Sequence, residues 1–338
     1  MTMRARAFAA QYTNRHSEYS LAAAQAASLI RNILADVDIH PDLISSRSKT
    51  PLSLRRKLLE KKYKNPQRQV TDLIGVRVVV LYQHEIQPVV QALSNKLHID
   101  RRLSIDKRSK LQPTQFGYRS VHLIAKLRPF EAAMSDYSSL QDKSFEIQIR
   151  SLLEHAWAAI EHECIYKSKI NYPAETTRRF AAIAGSLEVL DREFGELHLA
   201  WNELVTTYLQ DFGEDRRLND ELDTARLVAF LCHLLPKGHG WFVIYGHNKP
   251  LPIRLASSAL IALRIVGIKK SLWLARAIAN PDTRRTIRRY ARILQRPIDE
   301  MSHLAVICIV VAKRNPAIFS DFFPELAEDP SLKQALST

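Results

Sequence analysis

The stretch from residue 145 to 162 constrains the fold more than any other part of the chain. Phe145-Glu146-Ile147-Gln148-Ile149-Arg150 alternates apolar and polar residues with period two, which is typical of a half-buried strand. The apolar members are expected to face a core, and the polar members are expected to share the opposite face. Ser151 is a suitable N-cap for a helix that begins at once, with Glu154 at the capping-box position. A carboxylate, an amide and a guanidinium on one face favour a site for a charged ligand.

The composition is that of a globular protein with a basic excess. Its 338 residues are 46% hydrophobic and 25% charged, which excludes disordered and fibrous classes and allows one or two domains. The net charge of +14 indicates polyanionic partners such as nucleotides, RNA or a membrane surface. The three cysteines have neither zinc nor disulfide spacing, which favours a reducing, cytoplasmic setting. Because no segment reads as a secretory signal or a membrane span, we expect no membrane insertion.

The order of elements predicts an α+β fold followed by a helical region. Helices are expected over 5–35, 52–63 and 84–95, and strands over 70–82, 98–105, 118–127 and 145–150. The polar stretches 45–51 and 128–143 are expected to be loops. Further helices are expected over 174–210, 216–236, 254–266, 282–296, 299–313 and 315–327. We therefore predict a helical segment over 1–40, a mixed β-sheet domain flanked by helices over 41–172, and a mostly α-helical region over 173–338.

Two carboxylates stand out because they lie on separate predicted strands of one basic domain. Asp72 interrupts the apolar run 70–82, and Glu146 lies in the opening strand. Taken alone, Asp72 is equally well explained as a turn aspartate at the start of a strand. Together the two acids can hold Mg²⁺, which needs few carboxylates and leaves room for substrate phosphates.

A basic set flanks the Ser/Thr-rich stretch before the first helix of this domain. Arg47, Lys49 and Lys57 surround a loop and a helix start, where backbone amides attract phosphate. The plane of an arginine can also stack on a purine. Neighbouring cations at 55–56 and 61–62 are equally well explained as a solvated helix face.

An aromatic residue opens the strand predicted over 118–127. Gly117 allows the chain a sharp entry into this strand. Tyr118 is then exposed, with Ser120 and His122 on its side of the strand. An aromatic platform beside a histidine suits a nucleobase and its phosphates. A tyrosine packed on the edge of the sheet is the plainer alternative.

In this order and spacing, the motifs at 46–57, 72–77, 117–122, 146–150 and 155–167 resemble the RelA/SpoT alarmone synthetase family, small synthetase type. The resemblance covers about residues 40–170. It implies a mixed-sheet domain akin to nucleotidyltransferases. It also implies an enzyme that moves the β,γ-pyrophosphate of ATP to a ribose 3′-hydroxyl, with GDP or GTP as the first expected acceptor. Small members of that family assemble, so a homo-oligomer is a further expectation.

The resemblance also implies roles for individual residues. On the ATP side, Arg47 and Arg77 would sandwich the adenine, while Lys49, Ser53 and Lys57 would hold the phosphates. Asp72 and Glu146 would bind Mg²⁺, and Glu146 would also take the proton from the 3′-hydroxyl. The residues expected to stack on or position the acceptor are Tyr118, Arg119, His122 and Gln148.

The acceptor stays open at this stage, because the chain departs from the guanosine-using members. Those members have a Lys and an Asn or Ser just before Gly-Tyr, whereas this chain has Thr114 and Phe116. One alternative is a toxin that modifies adenosine nucleotides or the 3′ CCA end of tRNA, which the positive charge suits. Another is a catalytically inactive nucleotide- or RNA-binding regulatory module. The helical region after residue 172 resembles no family and is expected to serve a regulatory partner, RNA or scaffolding.

Overall fold

A computed structural model gives the fold of this protein. It describes residues 1–61, 63–106, 120–128, 135–161, 173–213, 219–235 and 253–337. Contacts divide the chain into two compact units, Met1–Glu196 and Leu197–Thr338. The first unit extends past residue 172, where we placed the end of the mixed-sheet domain. The domain limits given above therefore stay a prediction.

The first unit contains helices and a sheet. Its helices are α1 (Met3–Asn14), α2 (His16–Ala35), α3 (Pro51–Lys61), α4 (Pro66–Gln69), α5 (Ile86–Lys96) and α6 (Leu152–Glu161), followed by the start of α7 (Ala174–Gly213). Its strands are β1 (Leu43–Ser48), β2 (Ile74–Val80), β3 (His98–Ile99), β4 (Ile105–Asp106), β5 (Val121–Lys126) and β6 (Phe145–Ser151). Short 3₁₀ turns span Gln83–Glu85 and Ser135–Leu140.

The described strands form one mixed sheet. The strand order is β1-β2-β6-β5-β3, and β4 also pairs with β5. The pair β2–β6 is parallel, and the other pairs are antiparallel. This arrangement, with helices beside it, confirms the predicted α+β class.

One face of the sheet is the core of the unit. Phe145, Ile147 and Ile149 are fully buried, as the period-two alternation predicted. They cluster with the apolar residues of β2 and β5 and with the buried faces of α2 and α5. Because successive side chains of a strand point to opposite faces, the alternate residues of β6 lie on the face away from this core.

Ser151 starts α6 as predicted. The Ser151 backbone N–H donates to Oε2 of Glu154 at 3.0 Å, and the Glu154 N–H donates to Oγ of Ser151 at 3.1 Å. This reciprocal pair is a capping box, which fixes the point where the strand becomes a helix.

The stretch 45–51 was expected to be a loop, but this prediction is wrong for residues 45–48, which belong to a strand. Residues 43–48 form β1, an edge strand whose backbone pairs with β2. An edge strand that packs only weakly on the core tolerates polar side chains on both faces. The period-two pattern is therefore missing from its sequence, and only long-range pairing makes it a strand.

Three other predicted boundaries differ from the structure. The strand predicted over 70–82 begins only at Ile74, so Asp72 lies before the strand and does not interrupt it. The strand predicted over 98–105 is two short strands, because Oδ1 of Asp100 accepts hydrogen bonds from two following backbone N–H groups and forms a turn. The loop predicted over 128–143 contains the 3₁₀ turn at 135–140.

The second unit is helical in its described residues, as predicted. It contains the end of α7 and the helices α8 (Thr224–Leu234), α9 (Ile253–Ile265), α10 (Ser271–Ala279), α11 (Pro281–Ile293), α12 (His303–Arg314), α13 (Pro316–Phe322), α14 (Pro324–Ala327) and α15 (Pro330–Leu336). The helices α10 and α15 were not predicted. Residues 304–312 of α12 are all buried at the centre of this unit. Among the described residues, no helix has the length and apolar character needed to cross a bilayer.

We expect Ile147→Ala to destabilise the first unit by about 2–5 kcal/mol, because Ile147 is fully buried and truncation leaves a cavity. Urea unfolding followed by circular dichroism measures this change. The matched control is Ile160→Ala on α6, whose side chain is 52% exposed. Equal losses for the two variants would contradict the placement of β6 against the core.

Candidate active site

The face of the sheet opposite α2 and α5 brings several predicted site residues into register. Gly75 of β2 lies opposite Glu146 of β6 on one side and Arg47 of β1 on the other. A Cβ atom on Gly75 would lie 3.8 Å from Cγ of Arg47, so the Arg47 side chain extends over the glycine. Because Gly75 has no side chain, the surface of the sheet is recessed between Arg47 and Glu146.

The next level of the same face holds Arg77, Gln148 and His122. Arg77 lies opposite Gln148, and Gln148 lies opposite His122 of β5. Arg47 and Arg77 are diagonal neighbours on one face of an antiparallel pair, which places such residues about 7–8 Å apart. That spacing admits one flat ring between two guanidinium planes.

A first charge cluster surrounds Asp72. Its Oδ2 lies 2.8 Å from Nζ of Lys49 and 2.8 Å from Nζ of Lys57. Lys49 follows β1 and is held there because its backbone N–H donates to the carbonyl of Leu73 at 2.9 Å. Oδ1 of Asp72 is buried and has no hydrogen-bond partner among the described residues. The carboxylate therefore has one oxygen engaged by two cations and one oxygen available to a ligand.

The cations decide the charge state of this cluster. Burial raises the pKa of Asp72, but hydrogen bonds and charges from Lys49 and Lys57 lower it by more, so the net shift is downward. Burial lowers the pKa of Lys57, but its bond to Asp72 and that carboxylate's charge more than offset the burial, so this pKa is raised. Asp72 and Lys57 are consequently both charged at neutral pH.

A second cluster surrounds Glu146. Its Oε1 lies 2.7 Å from Nδ1 of His122, and its Oε2 accepts a hydrogen bond from Nε2 of Gln148 at 3.0 Å. Arg150 donates in turn to Oε1 of Gln148 at 2.6 Å, which fixes the orientation of that amide. Burial raises the pKa of Glu146, but the bonds from His122 and Gln148 lower it by more. Glu146 is therefore an ionised carboxylate with both oxygens oriented.

The two clusters share one electrostatic environment. The charge of Asp72 raises the pKa of Glu146 and partly offsets the lowering by His122. Both carboxylates raise the pKa of Lys57. No group of three or more His, Cys, Asp and Glu residues suited to a metal ion occurs within the described ranges. Asp72 and Glu146 are the described acids of these two clusters that could hold a divalent ion.

The N-terminal helices hold the end of β1 in place. The Tyr12 hydroxyl donates to the backbone carbonyl of Lys49 at 2.6 Å. Ser48 Oγ lies 3.1 Å from Nε2 of His16 and 2.9 Å from Oγ of Ser20. These contacts position the segment from which Lys49 reaches Asp72.

Ser53 belongs to the helix start that was predicted to bind phosphate. Thr50 donates from its hydroxyl to Oγ of Ser53 at 2.8 Å and accepts from the Ser53 backbone N–H at 3.2 Å. Ser53 is exposed in the first turn of α3. It stands in the first turn of the helix, where the Thr50 hydroxyl caps its backbone N–H.

Two predicted acceptor residues, Tyr118 and Arg119, lie outside the described residues. No individual role was predicted for Arg150 or His155, although Arg150 was expected on the polar face of β6. Arg150 is buried behind Gln148, and the alternation 146/148/150 was the signal for it. Burial lowers the pKa of His155 on α6, and the positive charges of Arg77 and Arg150 lower it further.

Part of the chain is similar to known proteins. Residues 46–171 match the family model described as "Region found in RelA / SpoT proteins". This match confirms, for that segment, the resemblance that the motifs predicted.

Two curated proteins of Bacillus subtilis (strain 168) are similar to part of the chain. The GTP pyrophosphokinase YwaC is 31% identical over 140 residues, which are 41% of this chain and 63% of that protein. The GTP pyrophosphokinase YjbM is 30% identical over 127 residues, which are 37% of this chain and 56% of that protein. The chain thus spans less than two thirds of the length of either relative.

The crystal structure of the small alarmone synthetase 1 from Bacillus subtilis aligns with a TM-score of 0.48 at 23% identity, covering 57% of this chain and 98% of that one.

The lowered pKa of Asp72 makes a prediction about stability and pH. In acid the folded protein binds fewer protons at Asp72 than the unfolded chain does, so the contribution of Asp72 to the free energy of unfolding rises with pH. This contribution is fully present above the ordinary aspartate pKa of 3.8 and is lost as the pH falls through the lower pKa of the folded protein. We expect Asp72→Asn to reduce the free energy of unfolding most above about pH 5, with a shrinking difference below that. Urea unfolding at a series of pH values measures this difference.

The control for this experiment is Asp36→Asn, since Asp36 is exposed at the end of α2. Its effect on the free energy of unfolding should be small. If the loss in Asp72→Asn were the same in acid as at neutral pH, the ion pairs with Lys49 and Lys57 would not be the stabilising interaction.

Proposed function

We propose that this protein is a Mg²⁺-dependent ATP pyrophosphotransferase that acts on GDP or GTP and makes guanosine tetra- or pentaphosphate. The observation that carries the proposal is a pair of ionised carboxylates: Asp72, between two lysines just before β2, and Glu146, between a histidine and an amide on the neighbouring strand β6. Two relatives named GTP pyrophosphokinases support the choice of reaction and acceptor.

The donor side would be built from cations on β1, β2 and α3. Lys49 and Lys57 would hold ATP phosphates and neutralise the charge that spreads over the transferred group. The N-terminus of α3, two residues after Lys49, adds the positive end of the helix dipole for the same purpose. Arg47 and Arg77, diagonal on one face, would receive the adenine between them.

Asp72 and Glu146 fit a magnesium ion. Oδ1 of Asp72 is buried without a hydrogen-bond partner among the described residues, which suits a ligand that supplies positive charge. Mg²⁺ is commonly bound by one or two carboxylates together with substrate phosphates. When bound, the ion would offset negative charge on the phosphates.

Glu146 is suited to act as the base. In the proposed step the acceptor 3′-oxygen forms a bond to the β-phosphorus of ATP, the bond from that phosphorus to the α,β-bridging oxygen breaks, and AMP leaves. The 3′-hydroxyl proton passes to Glu146, whose lowered pKa keeps it ionised and ready to accept. The bonds from His122 and Gln148 hold the carboxylate in one orientation, and holding both reactants in line supplies much of the rate.

The acceptor side is proposed to include Gln148 and His122, together with Tyr118 and Arg119. Gln148 and His122 are opposite one another on β6 and β5, next to the proposed base.

We expect Glu146→Gln to lower pyrophosphate transfer by about 10²–10⁴-fold, because the amide cannot accept the proton. Transfer from labelled ATP is followed by thin-layer chromatography, and ATP binding is measured separately by fluorescence. Binding should stay within about tenfold, because the variant keeps the shape of the site. Glu175→Gln, an exposed position on α7, is the control and should retain wild-type turnover. Undiminished transfer by Glu146→Gln would remove Glu146 from the mechanism.

A panel of acceptors tests the substrate. The purified protein is incubated with labelled ATP and Mg²⁺ together with GDP, GTP, AMP, ATP or bulk tRNA. We expect label on GDP and GTP. Transfer to tRNA or to adenosine nucleotides alone would contradict the proposed acceptor and leave the chemistry intact. Bound ATP with no transfer to any acceptor would indicate a nucleotide-binding module instead of an enzyme.

A further inference from the structure

The second unit carries a row of arginines that has no role in the proposed active site. Helix α11 has the sequence PDTRRTIRRYARI, with five arginines in thirteen residues. Arg284, Arg285, Arg288 and Arg292 are exposed, and we call these four residues the arginine stripe. With 3.6 residues per turn, the stripe occupies about 100° of the helix circumference.

The stripe has no anionic partner in the described part of the chain. None of its four side chains forms an ion pair or a side-chain hydrogen bond with a described residue. Asp282, the acid in the first turn of α11, lies 3.0 Å from Nζ of Lys313. Like charges four residues apart destabilise a helix, so the stripe weakens α11 until an anion reaches it.

The rest of the helix holds the stripe outward. The opposite side of α11 is buried through Thr286, Ile287, Tyr290 and Ala291, and it packs on α12 and α15. Arg289 is half-buried and donates to the backbone carbonyl of Ala335 at 3.2 Å, at the end of α15. The stripe lines an open depression of about 530 Å³ with Ala279, Pro281 and Arg289.

We propose that the arginine stripe of α11 binds the phosphate backbone of a nucleic acid. Arginine presents a planar fork that matches phosphate oxygens, and every cation in the stripe is an arginine. Arg284, Arg288 and Arg292 repeat about every 6 Å along the helix axis. A ligand that repeats its anion, as a nucleic-acid strand does, meets each fork in turn.

The surface fits a protein or a membrane less well. Protein interfaces have apolar or aromatic anchors at their centre, whereas the exposed positions of α11 are Pro281, Asp282 and the stripe. A helix that lies on a membrane needs an exposed apolar face, and the apolar face of α11 is buried. The net charge of +14 favours approach of any polyanion from a distance.

The experiment uses the full-length protein without ATP or acceptor, so its result does not depend on the proposed reaction. Fluorescence anisotropy measures binding of a labelled 30-nucleotide single-stranded RNA, an RNA duplex and a DNA duplex at several KCl concentrations. The variant carries Arg284→Gln, Arg288→Gln and Arg292→Gln. The charge-matched control carries Arg4→Gln, Arg6→Gln and Arg31→Gln, three exposed positions on α1 and α2.

We expect the stripe variant to lose at least tenfold in affinity, and its slope of log affinity against log salt on single-stranded RNA to fall by about 2. The control should change affinity less than threefold. The nucleic acid that binds the wild-type protein most tightly identifies the source of the phosphates. Circular dichroism and the thermal midpoint should be no lower in the stripe variant than in the control, since like-charge repulsion is removed.

Two results would overturn the proposal. One is equal loss of affinity in the stripe variant and the control, which would indicate general charge attraction. The other is displacement of RNA by polyglutamate as efficiently as by unlabelled RNA, which would indicate an acidic protein as the partner.

Discussion

The parallel pairing of β2 with β6 is the constraint on which the site depends. It places Gly75 opposite Glu146 and thereby sets the acid of β6 beside the turn that carries Asp72. A shift of one residue would move Glu146 to the core face and Ile147 to the polar face. Burial of Ile147 therefore keeps Glu146 on the polar face, since any shift by an odd number of residues would expose the apolar residues of β6.

Charge pairing explains why these carboxylates can be half-buried and still ionised. An isolated carboxylate in such a place would raise its pKa and become neutral. Two lysines at Asp72 and a histidine with an amide at Glu146 reverse that shift. The same donors orient the oxygens, so the pairs that keep the acids charged also hold them in the geometry that a reaction with phosphates needs.

Local patterns predicted much of the fold, and long-range contacts account for what they missed. The alternation in β6 and the capping box at Ser151 are readable because each needs only a few consecutive residues. The strand β1 was not predicted because it is a strand through its pairing with β2, and its own residues lack a period-two pattern. The contact of Lys49 and Lys57 with Asp72 joins three separate segments, so the sequence could indicate the residue types there but not which oxygen they bind.

The two basic surfaces of this chain differ in a way that indicates different ligands. Around Asp72 the lysines are bonded to a carboxylate at 2.8 Å, so their positions are fixed before a ligand arrives. Fixed cations suit a small nucleotide whose phosphates must be held in line for reaction. The exposed side chains of the arginine stripe have no described partner to fix them. Side chains free to adjust suit a polymer whose backbone varies in path, where affinity comes from the number of phosphates contacted and not from one geometry.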